Sequence, residues 1–472
     1  MRETSRRQLP DGREARTSSP VPWQELAGQS LTVHGTLDET GEPVTLPSAF
    51  TAGWTIRGTG SHSHRLQAFY ALLGDHVDGA DALFTRVRVR IRHLDAWANL
   101  PGFTLTPDLS TGKHTLAFEK PEVAPASLAS GARLALEQVT GWNGPNACGG
   151  KLERQLWVDV LDMPPVSYRD IERAIVKPLM NLLTLSVSTE YPVVGAMVSA
   201  DPDHPWLTVH DAAMKPAAEA VIPLPRILLP LAKTGLEGVA KWLDSVVRLG
   251  PLPSVIARAA TSPDDALETQ LLELTTAAEG LHRLLLPQRQ RMTDEQAKEA
   301  RSKALEAINE LLGDVRDAVQ AALQHLTDQS YPRRLLDLAE HVGKAVPVTG
   351  NTAKWKKHVA STRINFAHAL EHGFLNQDTA EESIAVLLSL RWLLTGLLLL
   401  QTGIDPATLG RCLRGHEPYQ LFLAQARTWL PAVYDTSESP AQAGRTLQAR
   451  MARAPRAGPY PGNTQPRQPT WR

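Results

Sequence analysis

Within the run TAKWKKHVASTRINFAHALEHG the chain places Arg363, Asn365 and His368 close together toward the end of an amphipathic helix. Metal-free cleavage of an RNA phosphodiester removes the 2'-hydroxyl proton, stabilises charge on the phosphorane and protonates the leaving oxygen. A histidine titrates in the right range for the proton steps, and a guanidinium holds a phosphate. His368 is therefore the expected proton-transfer residue, Arg363 the phosphate clamp and Asn365 an orienting hydrogen-bond group. One histidine does not readily serve as base and acid together, so a two-fold dimer that brings two copies of Arg363 and His368 to one cleft is expected. Five residues along an ideal helix turn about 140°, so the pair meets one phosphate only if the arginine reaches round or the helix end deforms.

Other chemistries find less support. An arginine followed five positions later by a histidine occurs four times: Arg57/His62, Arg88/His93, Arg363/His368 and Arg411/His416. The first two fall in strand-like sequence and the last in a segment flanked by Gly and Pro, which leaves Arg363/His368 in a bundle helix. Before Gly150-Lys151, Pro145 stands where a phosphate loop has its leading glycine, and Leu152 replaces the hydroxyl that would hold magnesium. His62 and His64 lack an acidic or cysteine partner nearby, and His368 with His372 lacks the HExxH order. No nucleophile elbow is present, and Cys148 and Cys412 form no CxxC pair. No metal and no cofactor is expected, and so small a cysteine complement fits a reducing cytoplasm.

The elements that position these residues divide the chain in two. With 472 residues, 42% hydrophobic, it has material for two or three cored domains. From Leu31 to about Val209, apolar residues recur at every second position between turn signals, as in RVRVRIRHL and QLWVDVL. Arg86, Arg88, Arg90 and Arg92 share one face of a strand, and Val87, Val89 and Ile91 the other. That cationic face is read as the wet side of an antiparallel strand, with a ligand-binding strip as the alternative. Residues 215–261 are rich in proline and read as a partly helical connector. From Ser262 the chain reads as helical: Ser262-Pro263-Asp264-Asp265 has N-cap chemistry, and Leu267, Leu271, Leu274, Ala278, Leu281 and Leu285 form a packing seam. Thr293 with Gln296 has the form of a capping box, and Gly313 is placed to break a long helix. The run from Ile384 to about Gly403 is apolar on nearly all sides, so its own bundle or a second copy must surround it. Arg391 at its middle makes a bundle helix the better reading than a membrane crossing.

The expected organisation is α+β and multidomain: a disordered start (1–22), a β-rich domain (23–214), the connector (215–261), a helical bundle (262–435) and a disordered Pro/Arg-rich tail (436–472). The start is polar and lacks the apolar core of a signal peptide. A net charge of -1 argues against gripping nucleic acid over the whole surface and leaves room for a local site.

The arginine, polar residue and histidine in a late bundle helix resemble the HEPN ribonuclease motif, with Asn365 as the polar position although Ile364 directly follows the arginine. VHGTLDETGEPVTL, WTIRGTG and HLDAWA are similar to the first domain of ApeA-type anti-phage proteins, and ALETQLLELTTAAEGLHR resembles the opening helix of their HEPN domain. The resemblance implies an abortive-infection defence factor: a homodimeric HEPN endoribonuclease acting on RNA, held at low activity until a phage-derived trigger engages the amino-terminal domain. Glu279, in the opening helix, is a secondary candidate for holding Arg363; the other reading is an exposed helix charge. A rival of another class is a non-catalytic module that dimerises and binds a partner protein through the apolar late helix.

Overall fold

The alternating pattern of the amino-terminal half folds as strands, and along Tyr70–Leu73 and Arg86–Ile91 alternate residues are buried. In a computed structural model, the described residues are 2–8, 14–20, 31–56, 62–77, 82–108, 110–118, 122–146, 149–211, 214, 226–262, 265–310, 313–367 and 377–435. Strands β3 (Leu31–Thr36), β4 (Pro43–Ile56), β5 (His62–Gln67), β6 (Tyr70–Leu73), β8 (Arg86–Ile91), β11 (Ala126–Ser127), β12 (Arg133–Asn146), β13 (Gly149–Leu161), β15 (Val193–Ser199) and β16 (Leu207–Asp211) make one sheet. Their order is β11-β12-β13-β8-β15-β16-β6-β4-β3, with β5 on β4, and the pairings are antiparallel. Short pairs β7 (Leu83–Phe84) with β14 (Val166–Ser167) and β9 (Phe103–Asp108) with β10 (Lys113–Phe118) accompany it.

Residues 1–22, read as a loose end, contain an antiparallel pair, β1 (Arg2–Gln8) with β2 (Glu14–Pro20). The sequence between them, Leu9-Pro10-Asp11-Gly12-Arg13, has turn chemistry, which a reading based on apolar content misses.

Strand β8 lies centrally between β13 and β15, and Val87, Val89 and Ile91 are buried as their alternation requires. Its arginine face is not simply a wet one. Arg88 donates from Nε and Nη2 to the two carboxylate oxygens of Asp159 on β13, each at 2.8 Å. The Arg86 and Arg88 guanidinium carbons also lie 4.7 and 4.8 Å from the Trp206 ring centroid. A carboxylate from a neighbouring strand and an indole from a loop therefore engage the strip, and neither partner is near it in sequence.

Helix α1 (Leu94–Ala98) follows β8, and α2 (Tyr168–Ile171) passes through a π-turn (Glu172–Val176) into α3 (Lys177–Val187). Pro178 in the first turn of α3 lacks an N–H, which suits a displaced hydrogen-bond ladder. Helices α4 (Leu231–Leu249) and α5 (Leu252–Thr261) occupy most of the expected connector, and their Leu236, Val239, Trp242 and Ile256 are buried. Their prolines sit at helix starts, Pro230 and Pro251 at N-cap positions and Pro253 in the first turn, where proline does not break a helix. The Trp97 indole donates to the Leu229 carbonyl at 2.7 Å and the Trp242 indole to the Pro178 carbonyl at 2.8 Å, joining these helices to the strand-rich part.

The bundle continues with α6 (Leu267–Leu285), α7 (Asp294–Ala307), α8 (Gly313–Leu323), α9 (Tyr331–Val342), α10 (Thr352–Ala367) and α11 (Gln377–Leu399). The expected seam of α6 is buried at Leu271, Leu274, Ala278 and Leu281. Its start falls at Leu267 and not after Ser262, with Ala266 at the N-cap position, and the Gln270 amide donates back to the Ser262 and Asp265 carbonyls. Thr293 and Gln296 form the capping box of α7.

Helix α11 overturns the expectation that its apolar surface serves pairing or partner binding. Leu390, Leu393, Leu394, Leu397 and Leu398 are fully buried within this chain, and the helix packs on α5, α6, α9 and α13 (Glu417–Trp429). Nor is it the last element, since α12 (Pro406–Gly415), α13 and α14 (Pro431–Tyr434) follow, and α13 packs against it. Thr379–Thr402 has the length and hydropathy of a membrane span, yet 78% of its apolar window is buried in protein. Met1–Tyr434 form one compact unit, and the tail expected at 436–472 lies outside the described residues.

Candidate functional site

Helix α10 is seated by Trp355, Val359 and Phe366, which are buried, and the Trp355 indole donates to Ser389 Oγ on α11 at 2.8 Å. Asn351 Oδ1 accepts from the Lys354 backbone N–H at 3.2 Å and caps its start. Arg363 lies beside the buried stripe with its side chain 33% exposed. Its Nη2 is 3.4 Å from Glu279 Oε2 on α6, and its guanidinium carbon is 4.3 Å from the centroid of the Tyr331 ring, at the first position of α9. Three helices thus meet at one guanidinium.

Glu279 is braced in turn. Arg283, one turn further along α6, donates to Glu279 Oε1 at 3.1 Å and also lies 3.7 Å from Asp328. Asp328 accepts from Arg334 at 3.3 Å and lies 3.2 Å from His325 Nδ1. The network ends in the core, where Arg334 donates from Nη1 to His282 Nδ1 at 3.3 Å and His282 Nε2 is 3.1 Å from Asp337 Oδ2. With Nδ1 accepting, His282 is the Nε2–H tautomer, donating to Asp337. Burial pulls the His282 pKa down against the opposing hydrogen bond from Asp337, and nearby Arg334 adds to the lowering. His282 is 1% exposed and is therefore a neutral structural group, inaccessible to a substrate. Burial also pushes the Tyr331 phenol above its ordinary range, so the ring stays neutral beneath the arginine.

Of the residues expected to act together, the structure joins Arg363 and Glu279. Asn365 is exposed, and a two-residue step carries it about 200° round α10 from Arg363, away from that guanidinium. His368 and His372 lie outside the described residues. Tyr331, Arg283 and the His282–Asp337 pair were not foreseen. A tyrosine before a proline has no signature of this kind, whereas a histidine directly after the seam residue Leu281 is a readable hint of a buried polar contact.

Two of the other arginine–histidine pairs are engaged elsewhere, and Arg57 of the third lies outside the described residues. Arg88 is held by Asp159, and His93 has the ring of Tyr191 at 5.6 Å. Arg411 does sit in a bundle helix, contrary to the sequence reading, and contacts Thr408 Oγ1 at 2.5 Å. His416 is 1% exposed, with its ring edge against Trp392. Gly150 and Lys151 belong to strand β13, a setting that does not form a phosphate loop. Among the described residues no cluster of His, Cys, Asp and Glu is arranged to hold a metal ion.

A long antiparallel sheet followed by a bundle whose first helix braces an arginine on a later one defines a strand-rich domain joined to a HEPN domain. Residues 24–232 match the family ApeA N-terminal domain 1, and residues 272–408 match the Apea-like HEPN family. The chain therefore has the two-domain composition of ApeA-type proteins. The HEPN match contains Glu279, Tyr331 and Arg363 and stops before Arg411. No curated protein and no solved structure matches the chain.

Proposed function

We propose that this protein is a metal-independent endoribonuclease of anti-phage defence, acting in the cytoplasm. The helical bundle is the cutting part, and the strand-rich domain releases it when a phage-derived trigger binds. The observation that carries this reading is the Arg363 guanidinium, held by Glu279 and the Tyr331 ring in the HEPN-matched region, five residues before His368. A guanidinium has five N–H donors, so one spent on Glu279 leaves others for phosphate oxygens.

In the proposed reaction one His368 takes the proton of the 2'-hydroxyl, whose oxygen attacks the adjacent phosphorus. Arg363 stabilises the charge on the phosphorane oxygens. The P–O5' bond breaks as the His368 of a second copy gives its proton to the leaving oxygen, leaving a 2',3'-cyclic phosphate and a 5'-hydroxyl. Pairing two copies is supported by Leu272 on α6 and Ile364 on α10, 39% and 59% exposed, which flank Glu279 and Arg363 in sequence and place apolar surface on those two helices.

The test compares purified full-length protein with His368→Ala and Arg363→Ala variants on mixed RNA in EDTA, with the phage-derived trigger supplied by an infected-cell extract. Loss of one proton-transfer group is expected to slow cleavage by about 10²- to 10⁴-fold. Equal cleavage by wild type and His368→Ala would remove the catalytic assignment.

A further inference from the structure

Helix α10 has a second property that holding Arg363 does not require. Its sixteen residues contain Lys354, Lys356, Lys357, His358 and Arg363 and no Asp or Glu. Several other cations of the bundle do sit beside carboxylates: Arg283 with Glu279, Lys303 with Glu299, and Arg333 with Asp337. Among the described residues no carboxylate lies within ion-pair distance of Lys354, Lys356 or Lys357. Lys354 and Lys357 are exposed and Lys356 is half-exposed. Lys356 precedes Arg363 by seven residues, so it lies on the same flank of α10, about 10 Å back along the helix axis. Lys357 stands in the same relation to Ile364 and lies on the outer face, opposite the buried stripe, whereas Lys354, nine residues before Arg363, lies about 180° round the helix from it.

A net charge of -1 shows that the chain carries enough acid to neutralise this helix, yet the described structure sets none against the three lysines. Unpaired cations on the flank and outer face adjoining a phosphate-clamping arginine have the chemistry of a polyanion track. We infer that Lys356 and Lys357 bind the sugar-phosphate backbone of single-stranded RNA on the side of α10 leading to Arg363. The inference rests on the ribonuclease reading for the identity of the polyanion. None of the exposed large hydrophobic side chains on α10 is aromatic, so no base-stacking platform accompanies the lysines and the track reads charge without base identity.

The experiment measures binding apart from cleavage. A fluorescent 20-nucleotide RNA of mixed sequence, 2'-O-methylated throughout so that it has no attacking hydroxyl, is titrated with full-length protein at salt concentrations from 50 to 200 mM, and anisotropy is read. Each phosphate contact on a single strand contributes about 0.7 to the slope of log affinity against log salt, so replacing both lysines with glutamine is expected to reduce that slope by about 1.4. Over this salt range the wild type then loses about 7-fold more affinity than Lys356→Gln/Lys357→Gln. Lys303→Gln, which removes a carboxylate-paired lysine on α7, is the control and should leave the slope unchanged. Homopolymeric 2'-O-methyl strands should bind wild type within a few-fold of one another. The same slope in wild type and double variant, with both folded by circular dichroism, overturns the inference, as does failure of wild type to bind at 50 mM salt. A lysine-dependent slope together with undiminished cleavage by His368→Ala would leave this track standing and remove the ribonuclease assignment, so the two failures are distinguishable.

Discussion

Replacing Tyr331 with leucine removes the aromatic face under Arg363 while keeping a side chain that fills space at the start of α9. The guanidinium carbon is 4.3 Å from the ring centroid, well inside the range of a cation–π contact. With the arginine 33% exposed, the contact contributes about 0.5–1 kcal/mol, rising toward about 2 kcal/mol where water is excluded. The Arg363–Glu279 pair has side chains 33% and 29% exposed, so solvent screening limits it to about 0.2–1 kcal/mol. Together the two contacts hold the guanidinium with about 1–2 kcal/mol, and their loss should lower kcat/KM for RNA cleavage by about 5- to 30-fold at about 1.36 kcal/mol per decade. The assay is initial cleavage of a short fluorogenic RNA by Tyr331→Leu, Tyr331→Phe, Glu279→Gln and the Tyr331→Leu/Glu279→Gln double variant, with thermal melts as a check on folding. Tyr331→Phe keeps the ring face and should retain nearly wild-type activity, since the phenolic oxygen takes no part in the stacking. Full activity in the double variant, beside an inactive Arg363→Ala, would refute the claim that these contacts position the arginine.

Three further outcomes follow from other parts of the fold. Leu394→Ala in α11 should cost about 2–5 kcal/mol, seen as a lower Tm with unchanged sedimentation, because the residue is fully buried in its own chain; dissociation of an oligomer without a stability loss would contradict this. The His282 pKa is held down in the folded state, so the unfolded chain takes up the proton first, near pH 6.5, and stability should be fullest above about pH 6.5 and decline below it. His282→Gln should flatten the fall in Tm between about pH 7 and pH 5, and an unchanged slope would show that another group is responsible. Arg88→Ala leaves Asp159, 4% exposed, without its cation and should cost toward the low end of the about 3–5 kcal/mol seen for broken buried pairs, whereas Arg88→Met/Asp159→Leu should recover most of that stability in urea melts.

The division into a strand-rich half and a helical half was legible in the sequence because it rests on periodicity, a property of consecutive residues. Val87, Val89 and Ile91 had to share a face, and so did Leu271, Leu274 and Leu281, whatever they packed against. The capping box of Thr293 and Gln296 was legible for the same reason, its partners being three residues apart. Arg363 could be singled out by residue type and by its distance from His368 in the chain. What holds Arg363 could not, since Glu279 and Tyr331 reach it from 84 and 32 positions away, and only the packing of α6 and α9 against α10 brings them there. Arg88 and Asp159 likewise meet across strands 71 residues apart. The apolar run of α11 could be recognised as needing cover, yet hydrophobicity has no direction and does not say what supplies the cover. The tertiary structure decided for the same chain, because α5, α6, α9 and α13 pack on the helix and bury its leucines.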